Sequence, residues 1–429
     1  MALIRLKNFQ SLTITALSFL VSVIGFVNHL LLARVFGIGA DIDAFLYATS
    51  LPLFLSALLT SYFMYGAVPI LMQSSNQSRS LSEMLVASCF LACPFFIVAL
   101  FITLDAIYFS LFSFELIGTT ARLVSIAWII GGFQVISGAL SAIFNAKRYF
   151  LIPILLQMLT PIGFAGGALL TVMDPDIIFP LIGMLFGVAI SILVGIFVLW
   201  SFLVNIRQST INDLIRLLRG NSGLYNTLIA SSAFAAYSLI DAVLAPRYGP
   251  GTLSSLGYAQ RIVIGFGNIA VIGVFSTSGP KFSDSLLKGG FDKFKKVVRH
   301  SIITVLGLSV SMGLFIWYNI ELLITFIFGE KIHSDQLFPL LSLLSIMLCG
   351  MTPMLCSTIL LRAVLCIKDS QIYIFMFGIG VPFLYSIFCL LLSPYGLLSF
   401  GYAYLISWIF GFCVLFARIF CGHHGLSKK

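Results

Sequence analysis

Charge is scarce in this sequence: 9% of its 429 residues are Asp, Glu, Lys or Arg. A soluble globular domain carries roughly 25%, so there are too few charges to cover a surface in water. With 60% hydrophobic residues, the outer surface suits lipid. Lipid offers the backbone no partners, which leaves helices or closed barrels as spanning elements. The alternating segments of about ten residues that mark a barrel are missing. Apolar runs of about twenty or more, which are helix length, are present. Also missing are a P-loop, a nucleophile elbow and an HExxH pair, so ATP-driven transport would need a separate subunit. No His/Cys cluster has zinc-ligand spacing, and no cofactor is expected.

What is there fits the same reading. The eight cysteines sit mostly inside apolar runs, as Cys349, Cys356, Cys366 and Cys389 do, where thiols behave as small hydrophobes rather than as a disulfide framework. Cys89 and Cys93 share a helix face, which packing explains. The net charge of +9 is spread between apolar runs and forms no patch for nucleic acid. Arg5 and Lys7 precede an apolar run from Leu12 to Ala33, too long for a signal-peptide core. It reads as a first membrane helix.

Twelve spans are predicted, near 12–35, 44–72, 81–104, 122–145, 150–173, 178–205, 223–246, 254–280, 300–320, 337–362, 370–393 and 397–418. Orientation follows from Lys and Arg, which collect on the cytoplasmic side. With the N terminus inside, all of the 24 basic residues fall inside except Arg34, Arg122, Arg247, Arg261 and Lys331. Both termini are therefore expected in the cytoplasm. The apolar stretch 321–328 is too short to span and reads as a re-entrant or interfacial piece. Lys288 to Arg299, interleaved with Phe291 and Phe294, suits either a solvated loop or a segment held by anionic head groups.

The chain divides in the middle. Thr210 and Asp213 fit a helix start. Ile211, Leu214, Ile215 and Leu218 share one face and Asn212, Arg216 and Arg219 the other, as in a helix lying on the membrane surface. The expected organisation is a six-helix lobe over 1–206, an amphipathic linker over 207–222 and a second six-helix lobe over 223–429. The halves repeat: Phe36-Gly37-Ile38-Gly39 matches Tyr248-Gly249-Pro250-Gly251, Tyr47-Ala48 matches Tyr258-Ala259, and Pro69 matches Pro280. Each half holds an even number of spans, so the repeats are parallel. Transporters place substrate between such halves and rock one against the other.

Ionisable groups inside spans are costly and mark pathways. Asn28 and His29 lie in the first span, Asp241 in the seventh and Arg261 in the eighth. His29 and Asp241 match through the repeat and would sit at similar depth, facing one cavity. Arg34 and Arg247 lie at the outer ends of matching helices, as cavity cations or as interfacial anchors that snorkel. A structural ion pair is the rival role for Asp241 and Arg261. Arginines suit an anionic substrate through paired hydrogen bonds to phosphate; a carboxylate and an imidazole suit a coupling ion, H+ or Na+. The triplets Asp41-Ile-Asp43 and Asp174-Pro-Asp176 read as short acidic turns.

The stretch Ala33-Arg34-Val35-Phe36-Gly37-Ile38-Gly39, with Asp43-Ala44-Phe45, Ala48 and Pro52, resembles the first-loop signature of the MurJ/MviN lipid II flippases. Leu239-Ile240-Asp241 and Tyr258-Ala259-Gln260-Arg261 resemble the matching region of that family's second half. The wider MOP superfamily includes Wzx polysaccharide flippases and MATE antiporters. The resemblance implies two six-helix lobes around a cavity, a polyprenyl-diphosphate-linked glycan as cargo, and a bacterial inner-membrane location. It makes Asp43 match the family's functional aspartate and Arg261 a cavity arginine. By their own positions in the spans, Arg34, Arg247 and Asn28 are expected as further substrate contacts and Asp241 and His29 as ion-coupling residues. Further family arginines align with Ser22, Asn28 and Ser56, and twelve spans stand where fourteen are usual. These departures point to an O-antigen, capsule or exopolysaccharide unit as cargo. Two other functions remain: a MATE-like cation or drug antiporter, and a membrane glycosyltransferase or ligase.

Overall fold

A computed structural model describes residues 2–67, 77–110, 115–203, 222–332, 334–367 and 370–421. These form twelve α-helices, with no strand among the described residues. The helices are α1 (Ala2–Phe36), α2 (Ala40–Ser61), α3 (Gln77–Ser110), α4 (Glu115–Ala146), α5 (Leu151–Leu170) and α6 (Ile178–Leu203), then α7 (Ser222–Leu244), α8 (Thr252–Tyr318), α9 (Ile320–Phe328), α10 (Ser334–Leu365), α11 (Gln371–Leu391) and α12 (Leu398–Phe416). Among the described residues, twelve stretches are long and apolar enough to cross a membrane. They match the twelve predicted spans in order. The chain is a multi-pass membrane protein.

One connection differs from expectation. Lys288 to Arg299 is helical rather than an irregular loop. Two helices meet end to end within the stretch labelled α8, at a kink at Gly290 (φ 69°, ψ −177°): the part before it carries the eighth span and the part after it the ninth, whose helix begins before the predicted start at 300. The short piece after it is the nine-residue α9. The amphipathic linker falls, apart from Ser222, outside the described residues.

The helices pack as two bundles. In the first, α3 lies on α4, α5 on α6, and α4 also meets α2 and α6; in the second, α10 lies against α8 and α12, and α11 joins α7 to α12. The bundles meet through α1 and α2 on one side and α7, α8 and α9 on the other.

Glycine lets helices approach closely in both bundles: in the second, Gly378 of α11 meets the Ile229 carbonyl of α7. Between α5 and α6, Gly163 and Gly167 face Gly183 and Gly187, and a Cβ added to any of the four would strike backbone of the opposite helix. This is the small-xxx-small approach that lets membrane helices touch. Between α7, α11 and α12, aromatic rings fill the space: Tyr237 stacks on Trp408 at 5.5 Å and 8°, with Tyr385 at 4.4 Å and Tyr404 at 5.5 Å.

Cysteine burial also departs from expectation. Cys356 and Cys389 are buried, but Cys89, Cys93, Cys349, Cys413 and Cys421 are exposed on the bundle surface. All eight are free thiols. Their apolar character serves contact with lipid as well as helix packing.

Candidate functional site

The repeated glycine turns lie at one end of the seam between the bundles. Gly37, Gly249 and Gly251 take positive φ (66°, 104° and 85°), where glycine carries no Cβ penalty. The second turn leads into α8, whose first N–H groups have no partner within the helix. Asp43, from α2 of the other bundle, supplies one. Its Oδ2 accepts the Gly251 N–H and its Oδ1 the Ser254 N–H, both at 2.6 Å. A carboxylate also complements the positive end of a helix dipole. Asp43 thus caps a helix across the seam and latches the turn end shut.

Arg34 reaches the same end. Its Nη1 lies 3.5 Å from the Phe326 carbonyl of α9, and its guanidinium covers Gly329. The side chain is exposed, as is that of Arg247 on the Ala245–Tyr248 turn. Neither lies in the middle of the seam.

Midway along the seam, Arg261 of α8 meets His29 of α1. One guanidinium nitrogen contacts both ring nitrogens, with Nε2 at 3.0 Å. Arg261 lies nine residues into α8, roughly 14 Å from its start, or about half the thickness of a hydrocarbon core. Phe26 and Phe266 pack beside this contact, edge to face at 5.1 Å.

Asp241 turns away from the seam. Tyr385 Oη donates to its Oδ1 and Gln260 Nε2 to its Oδ2, each at 2.5 Å. The carboxylate is buried within the second bundle, at 2% exposure. The repeat thus places His29 and Asp241 at matching positions, but they do not face one cavity. Asp241 and Arg261 do not form the ion pair considered as their rival role: each has a different partner.

Asn28 also turns inward, into the first bundle. It donates from Nδ2 to the Pro161 carbonyl of α5 at 2.8 Å. Ser56, aligned with another family arginine, is fully buried and donates to Gln134 Oε1 of α4 at 2.8 Å. Asn28 and Ser56 thus make bonds within their own bundle.

Towards the opposite end of the seam lies a cavity of about 670 Å³. Ala57 and Ser61 of α2 form one wall; Ser231 and Phe234 of α7, Gly279 of α8, and Thr358 and Arg362 of α10 are among the others. Among the described residues lining it, the charged one is Arg362. Sequence reasoning placed Arg362 with the cytoplasmic basic residues. Its position at the very end of the predicted span, 337–362, was the signal that could have found it.

A profile of the family described as "Lipid II flippase MurJ" matches residues 32–423. The chain belongs to the MurJ family. Its fold is shared with a structure titled "Lipid II flippase MurJ, inward closed conformation" at TM-score 0.75 and 20% identity, over 95% of this chain and 87% of that one. An inward-facing multidrug resistance MATE family transporter of the MOP superfamily matches at TM-score 0.66 and 12% identity, over 92% of this chain and 98% of that one. A mutant of the Vibrio cholerae MATE transporter VcmN matches at TM-score 0.63 and 14% identity, over 96% of this chain and 95% of that one. A comparison with curated proteins yields no match. The MurJ assignment carries the two-bundle MOP fold with it, and α1, α2, α7 and α8 are the helices that face across its seam.

Proposed function

We propose that this protein moves a polyprenyl-diphosphate-linked sugar from the inner to the outer leaflet of the bacterial cytoplasmic membrane. The observation that carries this reading is the charge along the seam. A guanidinium, Arg261, sits at mid-depth between the bundles, and the charged residue of the cavity beyond it is also an arginine. Guanidinium groups match phosphate oxygens through paired hydrogen bonds. A cation exporter asks for a carboxylate facing the path, and Asp241 faces Tyr385 and Gln260 instead.

In this reading the units 1–206 and 223–429 are the moving lobes, joined by an amphipathic linker over 207–222, with both termini in the cytoplasm. Excess Lys and Arg on that side supports the orientation. The glycine-turn end is then outward, and Asp43 holds it closed while cargo enters from inside. Arg261 binds the diphosphate. His29, Arg261's partner across the seam, is displaced by it. Arg34, Arg247 and Asn28 act around this centre without holding the diphosphate: Arg34 steadies the outer end, Arg247 stands at the outer interface, and Asn28 orients α1 on α5. Asp241 takes up the coupling ion, H+ or Na+, because a buried carboxylate whose charge changes alters the packing of α7 against α11. No covalent bond is made or broken; the work is translocation.

The test is transport in proteoliposomes of a fluorescent polyprenyl-diphosphate-linked sugar, followed by its accessibility to an external quencher. Wild type is expected to translocate it and Arg261→Gln to do so at least tenfold more slowly, since a buried charged hydrogen bond is worth roughly 1.5–3 kcal/mol. Equal rates in the two proteins would overturn the role of Arg261. No movement of any such lipid by wild type would overturn the function.

A further inference from the structure

Arg362 stands near the end of α10, where an arginine ordinarily snorkels into head groups. This one reaches sideways to α8. Its guanidinium donates to the Phe275 carbonyl, lies 3.5 Å from Ser278 Oγ and stacks over the Phe275 ring at 5.1 Å. The wall of α8 therefore fixes the head group of a side chain that belongs to another helix. The fixed group lines the cavity at the inner part of the seam, beside the hydroxyls of Ser61, Ser231 and Thr358.

From this geometry we propose that Arg362 is the first cation to engage the cargo's diphosphate, which then passes along α8 to Arg261. The inference rests on the flippase reading and deepens it by naming the residue that receives the cargo. Three features support it. The Phe275 turn and Arg261 belong to the same helix, fourteen residues apart, so roughly 20 Å of one continuous wall separates the two cations. A guanidinium held by a carbonyl and a ring has already lost much of its rotamer freedom, so a phosphate meets an ordered partner. Its position nearer water than Arg261 suits a group that captures, because charge at a mouth governs association more than dissociation.

The competing account is a strut that ties α8 to α10 with no role in binding. The two accounts differ kinetically. The experiment measures binding of polyprenyl diphosphate, and of uncharged polyprenol of equal length, to the full chain in nanodiscs of zwitterionic lipid. Arg362→Gln is expected to slow association of the diphosphate roughly tenfold and flatten its salt dependence, with dissociation unchanged. Arg261→Gln is expected to do the opposite, speeding dissociation. Polyprenol binding should be the same in all. Arg362→Lys keeps the charge but loses the planar fork, guards against a variant that fails to fold, and is expected to slow association about threefold.

If Arg362→Gln weakens binding of both lipids alike and lowers the melting temperature, the strut account is correct and the proposal fails. Unchanged diphosphate association in either Arg362 variant also overturns it, while leaving the cargo assignment standing. A wild type that does not distinguish the diphosphate from the alcohol overturns the cargo assignment and the role of Arg362 together.

Discussion

The two bundles share close glycine contacts and differ in what fills the space around them. In the first, α5 and α6 approach until glycine meets glycine. In the second, the space between α7, α11 and α12 is filled by Tyr237, Tyr385, Tyr404 and Trp408. The same divergence appears at the matched pair His29 and Asp241. His29 faces across the seam, whereas Asp241 is enclosed by its own lobe. The second bundle encloses a buried carboxyl group beside polar aromatics.

Substitutions at five points would break or sharpen this contrast. The largest effect is expected from Asp241→Ala, which leaves the Tyr385 hydroxyl and Gln260 amide buried without their acceptor. Loss of such a partner costs about 3 kcal/mol, and transport is expected to fall more than tenfold. Thermal unfolding and proteoliposome flux measure the two parts; a variant with wild-type flux would remove Asp241 from the coupling role. Next is Gly183→Val, whose side chain meets the backbone of α5. Overpacking of this kind costs about 1–3 kcal/mol. In the second lobe, Gly411→Ala meets side chains of Val381 and Phe377 instead, which can shift, so the loss of melting temperature should be smaller. Equal losses would show that the lobes tolerate volume alike.

Trp408→Leu removes the stacked ring beneath Tyr237, a contact worth about 1 kcal/mol beyond buried area. The melting temperature should drop modestly, with transport retained. The smallest effect is expected at Arg34. Arg34→Gln loses a long contact to an exposed carbonyl, and flux should stay within about twofold of wild type, as for most exposed polar contacts. A tenfold loss would restore Arg34 as a cargo ligand.

Much of this architecture was legible in the sequence. Apolar run length gave twelve spans, and the turns matched by sequence at Phe36–Gly39 and Tyr248–Gly251 both use glycines at positive φ. The direction each polar residue faces was less legible. A helix apolar on every side carries no stripe to set its rotation, so nothing in the first span said that Asn28 would turn to Pro161 while His29 turned to Arg261. Asp43 was found as a residue, but its partners lie in backbone N–H groups, which sequence does not distinguish. Arg362 was hidden by the charge rule itself, because a basic residue at a cytoplasmic helix end already has an explanation.

The latch made by Asp43 has a consequence for how the protein is born. Its two partners lie 208 and 211 residues further along the chain. At about 5–20 residues per second of synthesis, Asp43 waits roughly 10–40 s before Gly251 exists. During that interval the first lobe stands in the membrane with its cap unoccupied. The arrival of the eighth helix therefore joins the two bundles at the glycine-turn end for the first time.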